Sequence, residues 1–383
     1  MAKANRPTKP KAAPIKTPEG SGARDIWKKL REAVSKATKE DLEAPKITNR
    51  LPTGITFLDA ALGEGNAAEG GLPGGRAVMI HGAEGTLKST FLDMIGAQAQ
   101  RRGGFYWKAN PEDSHNDKLF KMVGASEDPT QFMYTRPLNI EEWLLSLDKF
   151  LGSGITDVDV PVVIGLDTLA MLSPKKEGEN DIRHSGLPMG TPGKLAQYFR
   201  STDALKRLSN TNIYLIILQQ HRDQAGGGSY GPPIDKVPGG RSLRHYLSTR
   251  IEMSLVTKTE AEDKAGIRLL KEDDAGKKFF ACTKFTMHKL RDEIGGRTAY
   301  VPYSYRAGWL DEIACFDFLK HHHFLEQSGN YTRFNEMSKY HLDWYKEITK
   351  PESDSLRKVL KEMGGQAYYQ EMFDQSAQED KIL

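Results

Sequence analysis

The amino-acid sequence predicts an α/β fold with a mostly parallel central sheet. The prediction rests on three apolar runs, at residues 77–80, 161–166 and 214–218. Continuous rather than alternating apolar character is typical of strands that are buried on both faces. The first run leads through a glycine-bearing stretch into a helix-like segment that extends to Gln100. Because parallel neighbours need crossover connections, strands that alternate with helical segments favour the same architecture.

The stretch after the first strand has the order of a phosphate-binding loop. In the pattern G-x-x-x-x-G-K-[ST], backbone N–H groups, a helix N-terminus and a lysine together bind phosphates. Lys88 is the predicted phosphate lysine, and Leu87 stands where the pattern has its second glycine, so a side chain is expected to strain a tight backbone there. The alternative is an ordinary strand–turn–helix with a lysine that reaches solvent. The predicted nucleotide-binding residues are Gly82, Ala83, Glu84, Gly85, Thr86, Leu87, Lys88, Ser89 and Thr90.

The second apolar run ends in Asp167, which is the predicted partner of Ser89 in holding Mg²⁺. Ligands of open α/β folds bind at the carboxyl ends of the strands, and a carboxylate fixed there needs a cation. A surface-loop aspartate is the alternative, which the presence of Lys88 disfavours.

A short strand-like run at residues 105–109 is followed by Glu112, which is predicted to orient the attacking water. Nucleotide hydrolysis needs little more from a protein than one such carboxylate and cations around the transferred phosphoryl group. Taken alone, a glutamate such as Glu112 is more often a solvated carboxylate, since Asp113 and Asp117 flank it.

Further segments resemble those of a RecA-type homologous recombinase. They are LPTGITFLDAALG at residues 51–63, GGLPGGR at 70–76, DTLAMLSPKKE at 167–177, YLIILQQ at 214–220, GGRSL at 239–243 and AYV at 299–301. The resemblance covers about residues 24 to 335 of 383. It implies a P-loop ATPase core, an N-terminal helix and a small C-terminal α+β or helical domain. In the phage branch of the family, typified by UvsX, a large residue likewise replaces the second glycine of the phosphate-loop pattern. The sequence resembles that branch at Leu87.

The resemblance also implies roles for single residues. Glu112 lies twenty-four positions beyond Lys88, the spacing of the family's catalytic glutamate. Gln220 corresponds to the nucleotide sensor, although a capped strand end explains a glutamine there equally well. Lys289 and Arg291 correspond to a cation pair that reaches the ATP of the neighbouring subunit, whereas the alternative is an exposed polar strand face.

Two irregular segments, residues 177–190 and 221–240, are expected to bind DNA. Cations, an aromatic ring and glycines that allow close backbone approach suit a single-stranded backbone and its bases. The alternative for both segments is a solvated connector. The candidate DNA-binding residues are Arg183, His184, Met189, Lys194, Arg222, Tyr230, Lys236, Gly239, Gly240, Arg241 and Arg244.

Composition agrees with a globular chain that needs neither a membrane nor disulfides. The formal net charge is +3, two cysteines occur, and no segment approaches membrane-spanning length. We therefore expect a reducing, intracellular location, and the resemblance implies the cytoplasm of a bacterial or phage-infected cell. The expected organisation is a basic disordered tail at 1–23, an oligomerisation helix at 24–45, the core at 46–307 and a C-terminal domain with a mildly acidic tail at 308–383.

The terminal regions carry two further expectations. Residues 24–42 read as an amphipathic helix with Ile26, Leu30 and Val34 at four-residue spacing, which packs either on its own core or on an adjacent subunit. Residues 337–373 read as one polar helical stretch in which Leu356, Leu360 and Met363 form a packed face.

These expectations combine into a DNA-dependent ATPase that uses ATP and Mg²⁺. It would form a head-to-tail filament on single-stranded DNA, pair it with homologous duplex and exchange strands, with single-strand-binding and loader proteins as partners. Two alternatives stay open, a ring-forming motor such as a helicase and a nucleotide-gated filament or mediator that binds DNA without exchanging it.

Overall fold

The computed structural model describes residues 21–38, 47, 49–63, 70–175, 190–220, 240–268, 280–290, 296–334 and 336–379. The strands are β1 Arg50–Leu51, β2 Leu72–Pro73, β3 Arg76–Gly82, β4 Phe105–Ala109, β5 Phe132–Thr135, β6 Val162–Leu166, β7 Ile213–Gln220, β8 Thr249–Val256, β9 Phe280–Leu290, β10 Thr298–Ser304, β11 Gly308–Trp309, β12 Glu326–Ser328, β13 Tyr331–Phe334 and β14 Met337–Tyr340.

Helices precede, connect and follow these strands. They are α1 Ser21–Thr38, α2 Thr56–Leu62, α3 Lys88–Gln100, α4 Asp117–Met122, α5 Ile140–Leu151, α6 Thr191–Ser201, α7 Ala204–Leu208, α8 Gly240–Tyr246, α9 Lys258–Ala265, α10 Asp311–His321, α11 His341–Ile348 and α12 Asp354–Glu379. None of the helices in the described ranges is both long enough and apolar enough to cross a bilayer.

The main sheet has nine strands in the order β11-β10-β9-β8-β3-β7-β6-β4-β5. Strands β3 to β8 pair in parallel, and β8 to β11 continue the sheet with antiparallel pairs. The predicted α/β class with a mostly parallel sheet is therefore confirmed.

Both faces of the sheet are buried. Along β3, Val78 and Ile80 belong to one apolar cluster, which also contains Phe91 of α3. The intervening residues Ala77 and Met79 belong to a second cluster on the opposite face, which is closed by helices that include α5. Because successive side chains of a strand point to opposite faces, covering both faces requires the continuous apolar run seen in the sequence.

The C-terminal elements join this core through a buried carboxylate. Asp311, at the start of α10, accepts hydrogen bonds from the backbone N–H and the hydroxyl of Thr56, at 2.8 and 2.7 Å. Lys361 of α12 lies 3.2 Å from the same carboxylate. The start of α2 is thus held by a residue more than two hundred positions away in the chain. The boundary expected near residue 307 stays a prediction.

The expected helical stretch over residues 337–373 is wrong at its beginning. Met337–Tyr340 is a strand that pairs with Tyr331–Phe334, and its burial alternates along the chain as a period of two requires. Helices follow at α11 and α12. The expected packed face of α12 is confirmed, because Leu360 is fully buried while Leu356 and Met363 pack against the core.

Helix α1 belongs to a separate compact unit that comprises residues 1–45. It spans Ser21–Thr38, and residues 39–42 of the predicted helix lie outside the described part of the chain. Its apolar stripe is exposed, with Trp27 70%, Leu30 52% and Val34 47% accessible.

A second buried carboxylate, Asp59 of α2, makes stability depend on pH. Its Oδ1 accepts from the backbone N–H and the hydroxyl of Thr53, at 2.7 and 2.8 Å. Burial raises the pKa of Asp59 from 3.8 to about 7, against the opposing effect of these hydrogen bonds. Because the folded pKa lies above the unfolded one, folding favours the protonated carboxyl, and stability falls as pH rises through this window.

We expect Asp59→Asn to remove this dependence, since the amide oxygen still accepts from Thr53 but cannot ionise. Relative to the variant, the wild type should lose about 2–3 kcal/mol of unfolding free energy between pH 5 and pH 8. Urea denaturation at both pH values measures the difference. Stability curves of the two proteins that run parallel with pH would contradict the expectation.

Candidate functional site

The predicted phosphate loop lies between the end of β3 and the start of α3, as the sequence indicates. Gly82 ends the strand at a close approach, because a Cβ there would lie 2.2 Å from the carbonyl oxygen of Met253. Gly85 has φ of +72°, in the left-handed region that favours glycine. Both positions therefore favour glycine for steric reasons. The backbone amides of the loop lie directly before the N-terminus of α3.

Leu87 also adopts the left-handed conformation, with φ 67° and ψ 21°. This is the position at which the common pattern has glycine, and the backbone keeps the glycine-like geometry although it carries a leucine. The side chain is half-buried and packs against the main apolar cluster. The strain expected from the sequence is thus present, and apolar contacts offset part of it.

The ammonium group of Lys88 points back into the loop. Its Nζ donates to the carbonyl oxygen of Ala83 and, at 3.2 Å, to the hydroxyl of Thr86. Burial lowers the pKa of Lys88, while the carboxylates of Asp167, Glu112 and Glu84 act in the opposite direction. A partly desolvated ammonium at this place interacts strongly with any anion that enters the loop.

The predicted magnesium ligands are in contact. The Oγ of Ser89 donates to Oδ1 of Asp167 at 3.0 Å, across elements 78 positions apart. Asp167 is buried, and its Oδ2 has no hydrogen-bond partner among the described residues. A hydroxyl oxygen and a carboxylate with an unsatisfied oxygen form the hard donor set that Mg²⁺ prefers, so these residues fit the ion.

Glu112 belongs to the same electrostatic cluster. It follows β4, and the fully buried Asn110 accepts a hydrogen bond from its backbone N–H at 3.0 Å. Burial and then Asp167 raise the pKa of Glu112, while Ser114 and Lys88 oppose the shift. The residue is only partly buried, so its carboxylate stays accessible to water.

Gln220 lies next to the start of the phosphate loop, because it is the residue of β7 that pairs with Gly82. It is half-buried, and its backbone oxygen accepts from Nε2 of the buried Gln219 at 3.2 Å. A side chain at this position is adjacent to the loop that the phosphates would occupy.

Lys289 lies in β9 and pairs with Arg250 of β8; nothing is described of its side chain. A register shift follows, since Ile251 pairs with Met287, and His288 is the extra residue of a β-bulge. Its ring stacks on His81 at 5.5 Å.

The candidate DNA-binding residues divide into two groups. Lys194 lies in α6, 3.6 Å from Glu141, while Gly240, Arg241 and Arg244 lie in α8. Gly240 is thus the first residue of a helix rather than the end of an irregular loop. Outside the described residues lie Arg183, His184, Met189, Arg222, Tyr230, Lys236 and Gly239, together with the cation Arg291.

Sequence reasoning missed a buried ion pair behind Asp167. Lys108 of β4 and Asp93 of α3 are joined by hydrogen bonds of 2.8 and 3.0 Å, and Asp93 also accepts from the hydroxyl of Tyr106 at 2.8 Å. The available signal was a lysine inside an apolar strand and an aspartate on the apolar face of a helix. Either residue alone reads as a surface charge.

Comparisons with known proteins agree with this geometry. Residues 28–272 match the RecA N-terminal domain family. The chain is 33% identical over 220 residues to Protein RecA of Arthrobacter sp. (strain FB24), covering 57% of this chain and 58% of that protein. It is 34% identical over 214 residues to Protein RecA of Thermus aquaticus, covering 55% of this chain and 57% of that protein. It is 26% identical over 325 residues to DNA repair protein recA homolog 3, mitochondrial, of Arabidopsis thaliana, covering 84% of this chain and 68% of that protein. The matches thus span somewhat more than half of the two bacterial relatives.

The left-handed Leu87 generates a prediction about stability. Leu87→Gly and Leu87→Ala remove the same apolar contacts, but only glycine relieves the backbone strain, so the alanine variant is the matched control. We expect the glycine variant to be more stable than the alanine variant by about 1 kcal/mol. Urea unfolding of the two variants measures this difference, and equal stabilities would show that the loop stores no such strain.

Proposed function

Because this chain belongs to the RecA family, we propose that it is a DNA-dependent ATPase that acts as a homologous recombinase. In this proposal it forms a head-to-tail filament on single-stranded DNA, pairs it with homologous duplex and exchanges strands. The observation that carries the proposal is the contact between Ser89 and Asp167 beside Lys88, at the carboxyl edge of a parallel sheet. Hydroxyl, carboxylate and ammonium together match the needs of a magnesium-bound triphosphate.

In the proposed reaction, water attacks the γ-phosphate of ATP and Glu112 orients that water. A carboxylate whose pKa is raised by burial and by Asp167 is a better proton acceptor than an ordinary glutamate. Lys88 would bind the phosphate oxygens, and Ser89 and Asp167 would hold Mg²⁺, which supplies charge neutralisation when bound. In the filament Lys289 and Arg291 of a neighbouring subunit would complete the site.

Coupling between ATP and DNA is proposed to pass through Gln220. Its place beside Gly82 supports a contact with the terminal phosphate, and residues 221–239 follow it directly in the chain. Those residues, residues 177–190 and the cations of α6 and α8 are the proposed single-strand DNA interface. Base specificity would come from pairing within the DNA itself.

Assembly is proposed to use α1, whose exposed Trp27, Leu30 and Val34 support docking on an adjacent subunit. Within the family we propose the phage UvsX-like branch, for which Leu87 is the supporting residue. Single-strand-binding and loader proteins are the proposed partners, and the cytoplasm of a bacterial or phage-infected cell is the proposed location.

The two alternatives differ from the recombinase in observable products. Electron microscopy with ATP and single-stranded DNA distinguishes a helical filament from a ring-forming motor. A strand-exchange assay with homologous and heterologous duplex distinguishes a recombinase from a mediator. We expect filaments and a product with homologous duplex only; rings, or filaments without a homologous product, would refute the proposal.

Glu112→Gln tests the proposed water-orienting carboxylate. We expect DNA-stimulated phosphate release to fall by about 10²–10⁴-fold, because the amide cannot accept a proton. Nucleotide binding and filament formation should persist, since the phosphate loop is unchanged. Fluorescent-nucleotide titration and microscopy check these two properties.

Asp113→Asn is the matched control for that experiment. Asp113 is the adjacent carboxylate, and it is paired with Arg136 at 2.9 Å on the surface. We expect its loss to change turnover by less than about threefold, as for an exposed ion pair. A comparable loss of turnover in both variants would assign the effect to local charge rather than to Glu112.

A further inference from the structure

The buried ion pair between Lys108 and Asp93 has a third member. Only 2% of the Lys108 side chain and 8% of the Asp93 side chain are accessible. The Lys108 Nζ also lies 3.6 Å from Oδ2 of Asp167, the oxygen without a hydrogen-bond partner. One ammonium group is therefore shared between two buried carboxylates.

The pair is not explained by stability. Desolvating two charges can cost more than their attraction recovers, and apolar residues of similar volume often serve the fold at least as well. The positions of Lys108 and Asp93 face each other between β4 and α3, where leucine and methionine would pack. A charged pair at this place indicates a role in the adjacent site.

The geometry points to Lys108 as a positioning residue for the magnesium carboxylate. Held by both oxygens of Asp93, the ammonium attracts Oδ2 of Asp167 and so fixes the plane of that carboxylate, which leaves Oδ1 directed at Ser89. This inference deepens the proposed function and rests on its nucleotide–magnesium site.

Charge balance supports the assignment. Lys108 and Asp93 neutralise each other, so the three groups carry one net negative charge, which is that of Asp167. At 3.6 Å the ammonium attracts Oδ2 without forming a short hydrogen bond, so the carboxylate keeps its capacity to bind a cation. Partners of metal-binding carboxylates commonly act in this way, by orienting the ligand.

Tyr106 fixes the other end of the arrangement. Its ring packs on Gly96 of α3, where a Cβ would lie 2.3 Å from the ring, and this approach accompanies the 2.8 Å hydrogen bond from its hydroxyl to Asp93. The contacts form a chain from Tyr106 through Asp93 and Lys108 to Asp167.

The test replaces the three partners with apolar residues in the triple variant Asp93→Leu, Tyr106→Phe, Lys108→Met, so that no member of the Tyr106–Asp93–Lys108 hydrogen bonds is left buried without its partner. Mn²⁺ binding to the full-length protein with ADP, followed by electron paramagnetic resonance, is the readout. We expect Mn²⁺ affinity to fall by about 10–100-fold. Circular dichroism checks that the variant is folded.

The double variant Asp311→Asn, Lys361→Met is the matched control. It neutralises the ion pair between the buried Asp311 of α10 and the partly exposed Lys361 of α12, elements that lack the proposed metal ligands. We expect its Mn²⁺ affinity to stay within about twofold of wild type, as no metal ligand loses a partner. An equal loss in both variants would show a general effect of removing buried charge and would overturn the inference.

Other outcomes are equally decisive. Unchanged Mn²⁺ affinity in the triple variant would show that the ion pair is purely structural. Tighter Mn²⁺ binding would show that Lys108 repels the ion. Either result would overturn the inference. If the triple variant does not fold, the single variant Tyr106→Phe is the test. We expect it to weaken Mn²⁺ binding about threefold, in the same direction as the loss expected of the triple variant. Unchanged Mn²⁺ binding in the single variant would overturn the inference. Failure of the wild type to bind Mn²⁺ with ADP would instead refute the proposed nucleotide site.

Discussion

The register of the parallel strands is the constraint on which the candidate site depends. Gly82 pairs with Gln220, and Leu166 pairs with both Ala109 and Ile217. Because parallel strands end at the same edge, the segments that follow β3, β4, β6 and β7 converge there. A shift of one residue in any pairing would turn its side chains to the other face of the sheet and separate these groups.

Convergence also concentrates charge, and burial decides how that charge behaves. Burial lowers the pKa of Lys88 and raises that of Glu112, so each group is less firmly charged than it would be in water. Opposite charges nearby limit both shifts. Such a site gains most from a ligand that brings both phosphate anions and a metal cation.

The antiparallel strands of the sheet pair with the strand that leads into the phosphate loop. Strand β8 pairs with β3 on one side and with β9 on the other, so the strand that carries Lys289 is two positions from the phosphate-loop strand. The stack between His81 and His288 bridges the same elements.

Elements and site differ in how far local sequence predicts them. The helix that follows the phosphate loop was predicted to extend to Gln100, and α3 spans Lys88–Gln100. The early part of residues 337–373 was misread because four residues with alternating burial are too short to distinguish from a helix by pattern. Strand order beyond the parallel core was likewise invisible, since pairing partners are distant in the chain.

The sequence by itself determined the α/β class, the phosphate loop and the acidic residues that follow two strands, because each depends on neighbours within a few positions. Only the tertiary structure decided that Leu87 keeps a left-handed backbone, that His288 forms a bulge, and that Lys108 lies between Asp93 and Asp167. These features arise where separate elements meet, and burial there changes the energy of a charge or a dihedral angle. The physical reason is that a side chain's partners are set by packing, which the local pattern does not encode.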